Sequence, residues 1–138
     1  MNASMLSYIL FSCLLLSVQA EYCGEREIIR YTQHLLGDSS LSCPCKQTAI
    51  SSCSCLPIPE PGHELACFVD GTKHLMENSK SSQREITRLY RTFQGQLDRK
   101  LCNKLPHSDQ CQYKTKGNVE EFLKKIQTTY QEIKKFNP

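Results

Sequence analysis

Cysteine is the residue type in this chain whose number and spacing could do chemistry. Cys43-Pro44-Cys45, Ser52-Cys53-Ser54-Cys55-Leu56-Pro57-Ile58-Pro59 and Cys67-Phe68 gather five of the nine cysteines into one stretch. Thiolates at that density either hold a metal ion or oxidise to disulfides. Structural zinc sites separate paired cysteines by about two to four residues, whereas a single residue intervenes here. That spacing also disfavours a bridge within a pair, because disulfides accept only a narrow range of Cα and Cβ distances. Each Cys-x-Cys pair is therefore expected to send its sulfurs to different parts of the fold. The stretch reads as a connection pinned at several points, with other elements close enough to receive the pins.

The compartment decides between metal and disulfide. Ile9 to Val18 is mostly apolar, and Val18-Gln19-Ala20 offers small residues at a cleavage position. Residues 1–20 are read as a secretory signal and residues 21–138 as the mature domain. The apolar run is short for a bilayer span and charge follows it at once. No later segment approaches a span, and no C-terminal apolar tail marks a lipid anchor. A secreted, extracellular, soluble product without membrane insertion is expected. Removal of the signal takes Cys13 and leaves Cys23, Cys43, Cys45, Cys53, Cys55, Cys67, Cys102 and Cys111. An even set in a small exported chain predicts a disulfide framework, with its pairing open. No Asn-x-Ser/Thr acceptor survives cleavage, so no N-glycan is expected.

Other chemistry finds little support. His34, His63, His74 and His107 are scattered over separate segments, without a metal or nucleophile spacing. Glu120-Glu121 is better explained by a helix dipole than by paired carboxylate catalysis. No enzyme activity, metal or cofactor is expected. The net charge of +3 is mild and no basic-aromatic block accompanies it, which argues against nucleic acid as a partner.

Four amphipathic helices must carry the cysteines. The first runs over residues 24–36, with Ile28, Tyr31, Thr32 and Leu35 on one face and Arg26, Arg30 and Gln33 opposite. Gly37-Asp38 ends it as a glycine cap. The second spans about Gly62 to Met76, with Gly71 as a weak point. After the polar gap Glu77 to Ser81, the third begins at Ser82, which with Glu85 fits a capping box. Its stripe is Ile86, Leu89, Tyr90, Phe93, Leu97 and Leu101, with Arg84, Arg88 and Arg91 opposite and Gly95 as an imperfection. The fourth is capped by Asn118 and Glu121 and lined by Val119, Phe122, Leu123, Ile126, Tyr130 and Ile133. Tyr31, Tyr90 and Tyr130 follow core spacing, with their hydroxyls at the rim. Gln47 to Ser54 fits a single helical turn or two, which its periodicity does not decide, and no strand pair stands out.

Helices of this kind must pack together to bury their stripes. Connections of roughly two dozen, about five and about sixteen residues follow a long, short, long pattern. The short one favours antiparallel neighbours, and the last can reach up to about 50 Å. The expected fold is all-α: a disulfide-stapled up-up-down-down four-helix bundle with two long crossover loops. Cys23, Cys67 and Cys102 then lie at one end, and a bridge among them is expected.

Cys43-x-Cys45, then Cys53-x-Cys55-Leu56-x-Ile58-Pro59, then Cys67-Phe68 resemble the central signature of the interleukin-9 family, within the interleukin-7/interleukin-9 group of short-chain four-helix cytokines. Cys23 and the last-helix segments Phe122-Leu123-Lys124 and Tyr130-Gln131 extend the likeness. The family pattern has a further cysteine before Cys67, where Gly62-His63-Glu64 stands, and another around Cys111. Their joint absence fits the loss of one bridge. The resemblance implies a growth-factor ligand of the immune response, monomeric and without chemistry of its own. It would pair a private alpha receptor with the common gamma chain and so trigger JAK/STAT signalling. By the same resemblance, Arg26, Arg30, Gln33, Arg84, Arg88 and Arg91 face the alpha receptor, and Lys124, Gln127, Thr128 and Gln131 face the gamma chain. The bland alternative is that these are merely solvated helix faces. The rival function is a cationic, disulfide-rich host-defence protein acting directly on microbial membranes, and a small secreted hydrolase comes third. Acidic residues mixed into every helix count against the first rival.

Overall fold

The apolar periodicities close into four helices around a single core. The structure, a computed structural model, describes residues 23–38, 41 and 54–135. The signal segment 1–20, residues 47–53, and Cys43, Cys45 and Cys53 lie outside the described residues.

Helix α1 spans Glu25–Leu36 and buries Ile28, Thr32 and Leu35. Thr32 is tolerated inside because its hydroxyl donates to the Ile29 carbonyl at 2.8 Å. The helix ends at Gly37, whose N–H bonds the Gln33 and His34 carbonyls. Glycine thus closes the helix as expected, with a φ of −81° that is ordinary right-handed backbone rather than a left-handed turn.

Helix α2, Glu64–Asn78, is the most enclosed, with Leu65, Phe68, Val69, Thr72 and Leu75 among its buried residues. A short turn leads to α3, Gln83–Asp98, which buries Ile86, Leu89, Phe93 and Gln96. The capping box expected at Ser82 is absent. Ser82 adopts a left-handed φ of 54° and makes no side-chain cap bond. Its hydroxyl, like that of Ser81, donates to the Asp38 carboxylate at the end of α1. Donating to this tertiary carboxylate holds the side chain away from the backbone N–H that it would accept from in a capping box. Helix α4, Val119–Lys135, buries Phe122, Leu123, Ile126, Tyr130 and Ile133. Here the expected cap does form: Glu121 N–H donates to Asn118 Oδ1 at 2.8 Å.

The chain also forms a strand pair that its sequence does not advertise. Strand β1, Leu56–Pro59, pairs antiparallel with β2, Tyr113–Gly117, joining the two crossovers. Two prolines in four residues suppress the usual strand signal, and they are accommodated because this is an edge strand. Strand β2 is exposed up to Gly117, so it shows no alternation of apolar and polar residues.

Ends meet as an up-up-down-down bundle requires. A disulfide joins Cys23, before α1, to Cys102, after α3. Asp38 at the far end of α1 holds the start of α3, and the end of α1 borders the start of α4. The bridge expected among Cys23, Cys67 and Cys102 is thus Cys23–Cys102. Cys67 pairs instead with Cys111 in the second crossover, which passes over the start of α2. Cys55 is disulfide-bonded as well.

Phe68 sits at the core centre, with its ring centroid 5.4 Å from Phe93, 6.1 Å from Phe122 and 6.3 Å from Tyr130. Beside it lies a buried polar link. Gln96 Nε2 donates to the Cys23 carbonyl at 2.8 Å, and its Oε1 accepts from the Tyr130 hydroxyl at 2.8 Å. One amide thereby ties α3 to the start of α1 and the end of α4. Tyr130 follows core spacing as expected, but its hydroxyl is inside the core rather than at the rim.

Burial, then the Glu25 charge, pushes the Tyr130 phenol well above its ordinary value of 10.0. A raised folded-state pKa leaves stability intact below about pH 10 and erodes it above, because only the unfolded chain then releases the proton. The slope is up to about 1.4 kcal/mol per pH unit. Tyr130→Phe should be about 1–3 kcal/mol less stable at neutral pH, since Gln96 Oε1 loses its donor. Urea unfolding from pH 8 to 11 should show the gap between the two proteins narrowing above pH 10. Parallel curves would mean that the phenol is not protected by the fold.

Candidate functional site

Helices α1 and α3 run antiparallel beside each other, so their outward faces form one surface. Arg26, Arg30 and Gln33 on α1 and Arg84, Arg88 and Arg91 on α3 are all exposed. Three of them converge. Arg30, Arg84 and Arg88 line a groove of about 230 Å³ together with Tyr31, His34 and Glu85. Arg26, Gln33 and Arg91 stand outside it.

Tyr31 lies between two of these cations. Its hydroxyl accepts a hydrogen bond from Arg88 Nη1 at 3.0 Å, and the Arg30 guanidinium carbon lies 5.4 Å from its ring centroid. The Arg88 hydrogen bond is the main reason that the Tyr31 phenol is held below its usual range. The same bond raises Arg88. His34 Nε2 stands 3.7 Å from Glu85 Oε1 across the groove. Tyr31, His34 and Glu85 were not legible as members of this surface. The usable signal was an aromatic residue at the edge of the α1 stripe, directly after an arginine.

The α4 residues are less concentrated. Lys124, Thr128 and Gln131 are exposed and Gln127 is half-buried. Lys124 Nζ pairs with Glu120 Oε1 at 2.7 Å, one turn away, and holds the Glu120 carboxyl below its usual range. Such an exposed pair contributes little to stability. Lys124 also borders a groove of about 360 Å³ where the end of α1 meets α4, lined by Leu35, Leu36, Leu41, Val119 and Leu123. Gln127, Thr128 and Gln131 are not part of that groove. Helix α1 therefore shares one flank with α3 and another with α4, and each seam carries an open groove.

A histidine beside a serine occurs at the start of α2. His63 Nδ1 is 3.0 Å from Ser108 Oγ and 3.0 Å from the Gln110 carbonyl oxygen. A carbonyl only accepts, so the nitrogen facing it carries the proton and is not free to take one from Ser108. That contact fastens the second crossover rather than activating a nucleophile. Among the described residues, no group of three His, Cys, Asp or Glu is placed to hold a metal ion, and no helix is long and apolar enough to cross a membrane.

A family model described as Interleukin-9 matches residues 5–126 of the chain. No curated protein and no solved structure matches it.

Proposed function

The chain belongs to the interleukin-9 family of cytokines, and from that membership we propose that it is a secreted ligand that pairs two receptor chains. On this reading residues 1–20 are removed on export and residues 21–138 act as a monomer. The α1–α3 face takes an interleukin-9-type alpha receptor through Arg26, Arg30, Gln33, Arg84, Arg88 and Arg91. The α4 face, with Lys124, Gln127, Thr128 and Gln131, takes the common gamma chain. Bringing the two receptor tails together triggers JAK/STAT signalling in immune cells. The protein contributes surface and charge, and no chemistry of its own.

The observation that carries this reading is the convergence of three exposed arginines and a tyrosine in one groove between α1 and α3. Arginine and tyrosine are the residues that most often dominate binding energy at interfaces. Guanidinium groups left open to solvent are also suited to steering an acidic partner.

The test is a double charge reversal, Arg88→Glu with Arg91→Glu. Affinity for an alpha-receptor ectodomain should fall at least about tenfold, because attraction becomes like-charge repulsion. Gamma-chain capture, read separately, should persist. Unchanged alpha-receptor binding would remove α3 from the interface.

A further inference from the structure

The arginines of the α1–α3 groove are short of internal partners. Within the described residues none of Arg30, Arg84 and Arg88 makes an ion pair with a carboxylate. The acid in the groove, Glu85, lies instead toward His34. What arranges the cations is Tyr31, which touches two of them by different means. Its hydroxyl takes one of the five N–H donors of Arg88 and leaves the rest of that guanidinium free to face outward. Its ring face supports Arg30.

We infer that Tyr31 is a positioning residue that holds Arg30 and Arg88 as a preformed clamp for a carboxylate side chain of the alpha receptor. This rests on the assignment of the α1–α3 face to that receptor, and it specifies what the face recognises. The clamp offers charged N–H donors from two guanidinium groups, an arrangement suited to an oxyanion. Arginine favours planar, two-point recognition of carboxylates. A long side chain that is already held in place loses less freedom on binding.

The experiment is a double-mutant cycle on the folded, disulfide-bonded chain, with binding to the alpha-receptor ectodomain measured by surface plasmon resonance. Tyr31→Phe keeps the ring and removes the hydroxyl. It should weaken binding about fivefold with unchanged thermal stability, because only preorganisation is lost. Arg88→Ala should weaken it more and flatten its salt dependence. In the Arg88→Ala background, Tyr31→Phe should have no further effect, since their interaction is already gone. Wild-type affinity for Tyr31→Phe, or an equal loss in both backgrounds, overturns the clamp. If the Arg88→Glu, Arg91→Glu protein has lost binding while Tyr31→Phe has not, the inference alone fails. If both bind normally, the receptor assignment fails with it. Retention on heparin that these variants abolish, with receptor binding intact, would replace the carboxylate partner by a sulfated glycan and also overturn the proposal.

Discussion

Replacing Gly71 with alanine should destabilise the bundle by about 3 kcal/mol, even though alanine is the better helix former. Gly71 is buried in α2, facing α4. A methyl group there would stand 2.1 Å from Phe122 Cζ and 2.5 and 2.9 Å from its two Cε atoms. Flipping the ring does not help, because Cζ lies on the flip axis. Only a change at χ1 or a shift of the helix relieves the clash. Either move pulls Phe122 from its edge-on contact with Phe68 at the core centre, where both side chains are fully buried. The gain from helix propensity is only about 1 kcal/mol. Gly95 provides the control. A methyl group there meets nothing within 4 Å, so Gly95→Ala should stabilise by up to about 1 kcal/mol. Urea midpoints for the two variants should move in opposite directions. Stabilisation by both would mean that α2 and α4 do not approach through Gly71.

The two glycines read identically in the sequence, as imperfections in amphipathic helices, and what separates them is a partner helix some fifty residues away. That is the general boundary of what was legible. Local periodicity located all four helices, and connection lengths ordered them, because both depend on residues near each other in the chain. The cap at Asn118 was legible for the same reason. Ser82 misled because its local partner lost to Asp38, which is distant in sequence and adjacent in space. The α3 stripe pointed on to Leu101, yet the helix ends at Asp98 and a glutamine takes an inward place. Gln96 is inside because its amide satisfies a carbonyl from before α1 and a hydroxyl from α4 at once, and neither partner shows in its own neighbourhood. The strand pair is not legible because prolines and lysines disguise both strands. In the candidate site the arginines were identifiable as outward-facing and Tyr31 as a core-spaced residue with its hydroxyl at the rim, but the partner of that hydroxyl, Arg88, comes from another helix.

Loss of the Cys23–Cys102 bridge, through paired serine substitutions, should lower stability by about 3–4 kcal/mol and weaken alpha-receptor binding as well. The bridge closes a sequence separation of 79 residues. In the chain-entropy picture that loop restricts the unfolded state by about 4.5 kcal/mol. The loss falls below this figure where the reduced, unfolded chain retains structure. The Cys67–Cys111 bridge closes a separation of 44 residues. Dependence on the logarithm of loop length makes it only about 0.5 kcal/mol weaker by the same measure. Stability alone therefore hardly distinguishes the two bridges, whereas their positions do. Cys23–Cys102 ties together α1 and α3, the two helices whose arginines form the candidate receptor face. Cys67–Cys111 ties the second crossover to α2, away from that face. Both serine pairs should lower the unfolding temperature by similar amounts. At temperatures where circular dichroism shows both still folded, only the Cys23, Cys102 variant should lose affinity for the alpha-receptor ectodomain. Equal affinity in the two variants would mean that the α1–α3 register is set by the packing of Ile28, Leu35, Ile86 and Leu89 and needs no covalent tie.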